Sequence, residues 1–207
     1  MSKTLFAVSE FANVIRGGAT IISGEVLLCA NLGYGLRLVS EIGGVRHTML
    51  FDTGPEGAIF IRNCANLGVP LGEVEAIAVS HGHWDHMAAL PAAIDEIVGR
   101  GGEVSVHVNP GMFDERAIRL PSGRIVPVVK VPLPEELESH GATVVNSPGE
   151  RLLLDGHFYY SGEIPRVTAF EKGRDDHLSR TGPGAPWQPD PLLMDERMLV
   201  SGSGGWG

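Results

Sequence analysis

Four imidazole and carboxylate side chains fall within six positions of Ser80–His86 (SHGHWDH): His81, His83, Asp85 and His86. These residue types bind divalent transition metals. In an extended segment His81 and His83 project to the same side, so two imidazoles can reach one cation. Asp85 and His86 then enter the following turn, where a carboxylate and an imidazole can serve a second cation nearby. The chemistry implied is hydrolytic. A bound divalent ion lowers the pKa of its water from about 15.7 to about 7, and a second ion stabilises the developing oxyanion. Asp85 can also orient the nucleophile. The competing reading of the segment is a solvated polar loop. Imidazole and carboxylate donors suit zinc first, with iron or manganese as alternatives.

These donors need a rigid platform, and the sequence supplies an alternation of short elements. Tyr34–Glu41 and Arg46–Phe51 are strand candidates around the turn cluster Ile42–Val45, which predicts a hairpin. The second strand runs into Asp52, Thr53, Gly54 and Pro55. GAIFIRNCANLG then carries apolar residues at helical spacing and stops at Gly68. Val74–Val79 is a short buried strand that leads directly into the histidine segment. LPAAIDEIVG follows as a helix with Pro91 near its start and Gly99 at its end, and Glu103–Val108 returns as a strand. Strands alternating with helices indicate an α/β architecture, and the hairpin requires a mixed sheet.

From residue 121 onward the helices thin out. GRIVPVV, TVV, RLLL and HFYYSG are strand candidates, PLPEELESHG is a short helix, and MDERMLV can begin one more strand. Residues 172–190 are polar, rich in Pro and Gly and aperiodic, which predicts a long loop or lid. The tail 201–207 (SGSGGWG) is low in complexity and supplies no core.

At 207 residues the chain fits one domain over 1–207. With 43% apolar and 20% charged residues it can build a core and is not of disordered composition. Its formal net charge of -9 repels phosphate backbones and anionic lipid, which argues against nucleic acid and membranes as partners and leaves a small-molecule substrate. Cys29 and Cys64 lack metal-type C-x-x-C spacing, are too few for a disulfide framework, and read as small core residues of a protein made in a reducing compartment. Ser9, Glu10, Asn13 and Arg16 interrupt the N-terminal segment, and the apolar stretch Ala19–Leu32 is too broken to span a bilayer. The expected location is cytoplasmic.

The histidine segment, the strand ending LFDTG (Leu50–Gly54), the block AIAVSHGHWDH and SGEIPRVTAFE (Ser161–Glu171) together resemble the metallo-β-lactamase-fold metallo-hydrolase superfamily. Within it, the last of these is similar to the branch named for dihydropterin-methyl-aminobenzene ribofuranosyl phosphate synthase. The resemblance spans roughly residues 19–200. It implies an αββα sandwich with a binuclear metal centre at one edge of the paired sheets, His81 and His83 on the first metal and Asp85 and His86 on the second. It also implies that Asp52 lies beneath the metals, where a carboxylate orients and polarises ligating imidazoles. The alternative for Asp52 is an Asx-turn or helix cap ahead of Pro55.

Glu163 stands where other branches carry a further histidine ligand; it either binds metal or pairs with Arg166. His157 is the next candidate ligand, because HFYYSG leads into the Glu163 segment. His47, His107, His140 and His177 have no i+2 or i+4 partner and read as structural or solvated. Trp84 is expected to pack the wall of the site.

Relatives continue after a segment such as PLLMDERMLV with an apolar strand, a Gly-Cys-Ser-His-Ala-Gly motif and another hundred or so residues bearing the remaining ligands. Here SGSGGWG follows instead. The second sheet is therefore expected to be incomplete, with exposed apolar edges that favour a homo-oligomer. Three functions follow: a metal-dependent hydrolase of a small ester, lactone or phosphoester; a synthase-like transferase joining a dihydropterin pyrophosphate to an aminobenzene ribofuranosyl phosphate; or a shortened chain that binds metal without catalysis.

Overall fold

A computed structural model describes residues 27–202. The readings of the N-terminal segment, of most of the Ala19–Leu32 stretch and of positions 203–207 lie outside the described residues. In chain order the elements are strands β1 (Leu36–Ile42) and β2 (Val45–Phe51), helix α1 (Gly57–Leu67), strand β3 (Ala76–Ala78), and helices α2 (Trp84–Met87) and α3 (Leu90–Gly99). Strands β4 (Ser105–Val108), β5 (Glu115–Arg119) and β6 (Ile125–Pro127) come next, then helix α4 (Pro134–Ser139) and strand β7 (Thr143–Asn146). Strands β8 (Arg151–Leu153), β9 (Phe158–Tyr160), β10 (His177–Arg180), β11 (Gln188–Pro189) and β12 (Leu199–Ser201) complete the fold.

The hairpin forms because Gly43 and Gly44 take φ of 60° and 84°, the paired left-handed values of a tight two-residue turn, and bring Ile42 opposite Val45. From β2 onward the central sheet is parallel, in the order β1-β2-β3-β4-β7. Side chains alternate across it. Leu50, Ile77, Val106 and Val108 face one way, against Cys64 of α1, Leu90, Ile94 and Ile97 of α3 and Leu137 of α4. Met49, Ala76 and Ala78 face the other, against Leu153, Phe158 and Tyr160. Those last residues belong to a three-stranded sheet ordered β12-β9-β8. Helices on one side and a smaller sheet on the other make a mixed α/β layered structure consistent with an αββα arrangement. The second sheet has three strands against five in the first.

Two departures from the sequence reading matter for the site. Residues 172–190, expected as a loop, contain β10 and β11, which join β5 and β6 in a third sheet ordered β11-β10-β5-β6. Strand β5 itself, in ERAIR, had no apolar alternation strong enough to show. Strands β5 and β10 are stabilised by pairing with each other across a long sequence separation; Leu178 sits opposite Ala117 and is 1% exposed. Among the described residues, no helix is long and apolar enough to cross a membrane.

Candidate functional site

The site forms where β2 and β3 end side by side. Asp52 follows β2 in the left-handed region (φ 60°), a conformation that costs a non-glycine residue about 1–2 kcal/mol. The surroundings hold it there. Its side chain is fully buried, its N–H donates to Ala78 O (3.0 Å), and its carboxylate accepts from Ser80 N (2.7 Å), Ser80 Oγ (2.7 Å) and His86 Nδ1 (2.7 Å). The carboxylate therefore reaches across to the histidine segment instead of closing a turn ahead of Pro55.

That anchoring sets the imidazoles. With Nδ1 of His86 held by Asp52, its Nε2 is directed toward Asp85, whose Oδ2 lies 3.6 Å away. His81 has Nδ1 against Ser80 Oγ at 3.0 Å. The His81 ring centroid lies 4.6 Å from that of His83 and 4.1 Å from that of His86, and Tyr34 meets His86 edge-on at 5.2 Å. The three histidines of the motif thus converge. Asp85, at the start of α2, borders the same space, and Trp84 lines the adjoining cavity as expected of a wall residue.

Burial and neighbouring charge divide the protonation states. Burial, reinforced by His86, His83 and Arg116, lowers His81 to about 2, and burial together with Arg116 lowers His83 against the opposing pull of Asp195 and Asp85. Burial opposes protonation of His86 as well, but the hydrogen bond and charge of Asp52, with Asp85, outweigh it and raise its pKa. Neutral His81 and His83 are in the form that binds a cation.

Residues far along the chain clamp the segment. Gly82 N donates to Asp195 Oδ2 (2.6 Å), and Arg197 N donates to Ser80 O (2.6 Å). Arg116 binds Asp195 (3.1 Å) and Asp190, and Asn109 Nδ2 donates to Asp195 O (3.0 Å). A Cβ at Gly82 would stand 2.2 Å from Met112 O, so only glycine allows this approach. The sequence reading missed Asp195, Arg116 and His177. His177 lies in the long polar segment, yet its ring is 5.6 Å from that of His83 and it lines the same cavity. No local motif marks these residues; the 113 positions between Gly82 and Asp195 hide the contact.

The two further candidates differ in setting. Glu163 is exposed, and Arg166 pairs with Glu171 and Glu196 instead of Glu163. His157 is buried against His47 (4.5 Å between centroids) and Ser40 Oγ (3.2 Å), near the hairpin end of β2 and away from Asp52. Cys64 is buried and Cys29 half-buried; burial, with Glu96, raises the Cys64 thiol to about 11, as befits a core residue.

The donor set fits a divalent ion in its chemistry: neutral imidazoles, a nearby carboxylate, and a second carboxylate fixing an imidazole from behind. Asp195 Oδ1 and His177 Nδ1 are also buried without a hydrogen-bond partner, and both residues act electrostatically on His83. The placement is looser than the chemistry, because among the described residues no group of three or more His, Cys, Asp or Glu is arranged so that it could hold a metal ion.

Comparison with known proteins decides the family. A sequence model of the metallo-β-lactamase superfamily matches residues 35–193. The chain belongs to the metallo-β-lactamase superfamily. Members bind divalent metals, usually zinc, and the superfamily includes hydrolases. A curated relative from Methanocaldococcus jannaschii, named 7,8-dihydropterin-6-methyl-4-(β-D-ribofuranosyl)-aminobenzene-5′-phosphate synthase, is 26% identical over 133 residues, 63% of this chain and 44% of that protein. The chain thus spans less than half the length of that relative. Among solved structures, the MIM-2 metallo-β-lactamase is 18% identical over 63% of this chain and 48% of its own, with a TM-score of 0.36. A metallo-β-lactamase from Novosphingobium pentaromativorans is 20% identical over 57% of this chain and 41% of its own, with a TM-score of 0.34.

Proposed function

We propose that this superfamily member is a metal-dependent hydrolase of a small ester, lactone or phosphoester, with His81, His83, Asp85 and His86 holding two divalent ions, zinc first. The observation that carries the reading is the convergence of His81, His83 and His86 over a buried Asp52 that grips both Ser80 and His86. Ions bound there would supply Lewis acidity and an activated water. The protein's own residues do the positioning. Asp52 fixes the tautomer and direction of His86, Ser80 fixes His81, and Asp195 holds the backbone of Gly82 between the two ligating histidines. Asp85 borders the cavity and is placed to orient a nucleophile.

A second reading is favoured by the named relative: transfer chemistry between a dihydropterin pyrophosphate and an aminobenzene ribofuranosyl phosphate. The looseness of the donor arrangement favours a third, in which a metal is bound only weakly and nothing is catalysed. The experiment that separates them is turnover of phenyl acetate and of the pterin substrate pair by the purified chain, with chelator and after zinc is restored. The hydrolase reading expects ester cleavage that chelator abolishes and zinc recovers. Cleavage indifferent to chelator contradicts it, a pterin adduct supports the transferase, and no turnover in either assay supports the third reading.

A further inference from the structure

The cavity beside His83, Asp85 and His177 has a volume of about 480 Å³, within the range of small-molecule sites. The third sheet walls it. His177 of β10 stands directly opposite Ile118 of β5, so the two side chains share one face of that sheet. With the His177 ring 5.6 Å from that of His83, the proposed metal centre runs onto that face without a break. The face is bordered by apolar side chains that nothing covers. Leu32, Ile118, Val129 and Leu133 all line the cavity and are all exposed, and large apolar groups left open together mark a binding groove. Three basic side chains also line it, but each is paired with a carboxylate: Arg116 with Asp190 and Asp195, Lys130 with Glu115, and Arg174 with Asp176. The divalent ions proposed at His83 and Asp85 dominate the charge of the polar end and would draw a carbonyl oxygen or an anionic group alike. What the rest of the cavity adds is apolar surface, which selects by the length of a hydrocarbon arm and not by charge.

We infer that this cavity takes a hydrocarbon arm of the substrate, laid from the metal centre across His177 against Ile118 and Leu133, so that the preferred substrate carries an apolar chain of several carbons on its hydrolysable group. The inference rests on the hydrolase reading for the scissile group, while the arm site rests on the cavity alone. It makes Ile118 and Leu133, neither of which approaches the metal ligands in sequence, the residues that set chain-length preference.

The test titrates butanamide, hexanamide and octanamide, which are neutral and resist cleavage, into the full chain by ligand-observed NMR, once with excess zinc and once with chelator. With zinc present each added methylene is expected to tighten binding about fourfold, the worth of burying one CH₂. The same slope is expected with chelator, because the ions act on the amide end and not on the chain. Ile118→Thr, which keeps a β-branched residue in β5, and Leu133→Ser, where serine suits the position ahead of α4, are each expected to weaken octanamide severalfold and butanamide little. Phe170→Ser, at an exposed apolar side chain outside the cavity lining, is expected to change neither. Affinity independent of chain length in the presence of zinc, a length dependence untouched by both cavity variants, or one lowered as much by Phe170→Ser would overturn the inference. Failure of the hydrolase reading would show instead as missing metal or missing turnover, with the length dependence intact under chelator.

Discussion

At the scale of single residues, Asp52 does the most. Its carboxylate serves Ser80 and His86 at once from a fully buried position, so Asp52→Ala strands two polar partners in the interior. We expect a loss of about 3 kcal/mol, measured by urea denaturation, because breaking a buried pair from one side leaves the other uncompensated. His107 supplies a pH dependence separate from the site. Burial, aided by Arg151, lowers it to about 4, so it stays neutral in the fold at pH values where the unfolded chain takes up a proton. A base with a depressed folded pKa loses its contribution as pH falls from its unfolded value, near 6.5, toward 4. His107 should therefore cost roughly 2 kcal/mol of stability between pH 7 and pH 5. His107→Gln is expected to flatten that part of the decline in the urea midpoint; an unchanged slope would contradict the assignment. The identity of the motif's histidines was legible because four donors crowd six positions. His177 was not, because its partner His83 lies 94 residues away, and a lone histidine in a polar segment carries no periodic signal.

At the scale of elements, local chemistry explains what could be read. The Gly43–Gly44 turn, the helical spacing of α1 and the Pro91 start of α3 are all set by residues within one turn or one hairpin, and each element appears where its sequence places it. β5 and β10 pair with each other across more than 50 residues, β11 then adds to β10, and their mixed polar sequences gave no alternation to read. The segment between β3 and α2 depends on distant parts in the same way, through Asp195 and Arg197. Gly82→Ala would drive a Cβ into Met112 O, and since that obstacle is backbone the segment itself must move. The expected cost is about 1–3 kcal/mol in stability, accompanied by weaker zinc retention on equilibrium dialysis. Asp195→Asn, which keeps the shape but weakens the grip on Arg116, should lower zinc retention less than Gly82→Ala does.

At the scale of the whole molecule, a five-stranded sheet carries helices on one face and a three-stranded sheet on the other, and the site lies where β2 and β3 end. The layering was legible from the alternation of strands and helices together with the motif; the third sheet, which walls the cavity, was not. The account then comes down to whether the converging imidazoles hold metal. Elemental analysis of the purified chain after exposure to zinc and desalting, beside His83→Ala treated identically, tests this most directly. About two zinc ions per chain, falling to one or none in the variant, is the predicted result. No retained zinc in the parent chain, or equal content in both proteins, would contradict it.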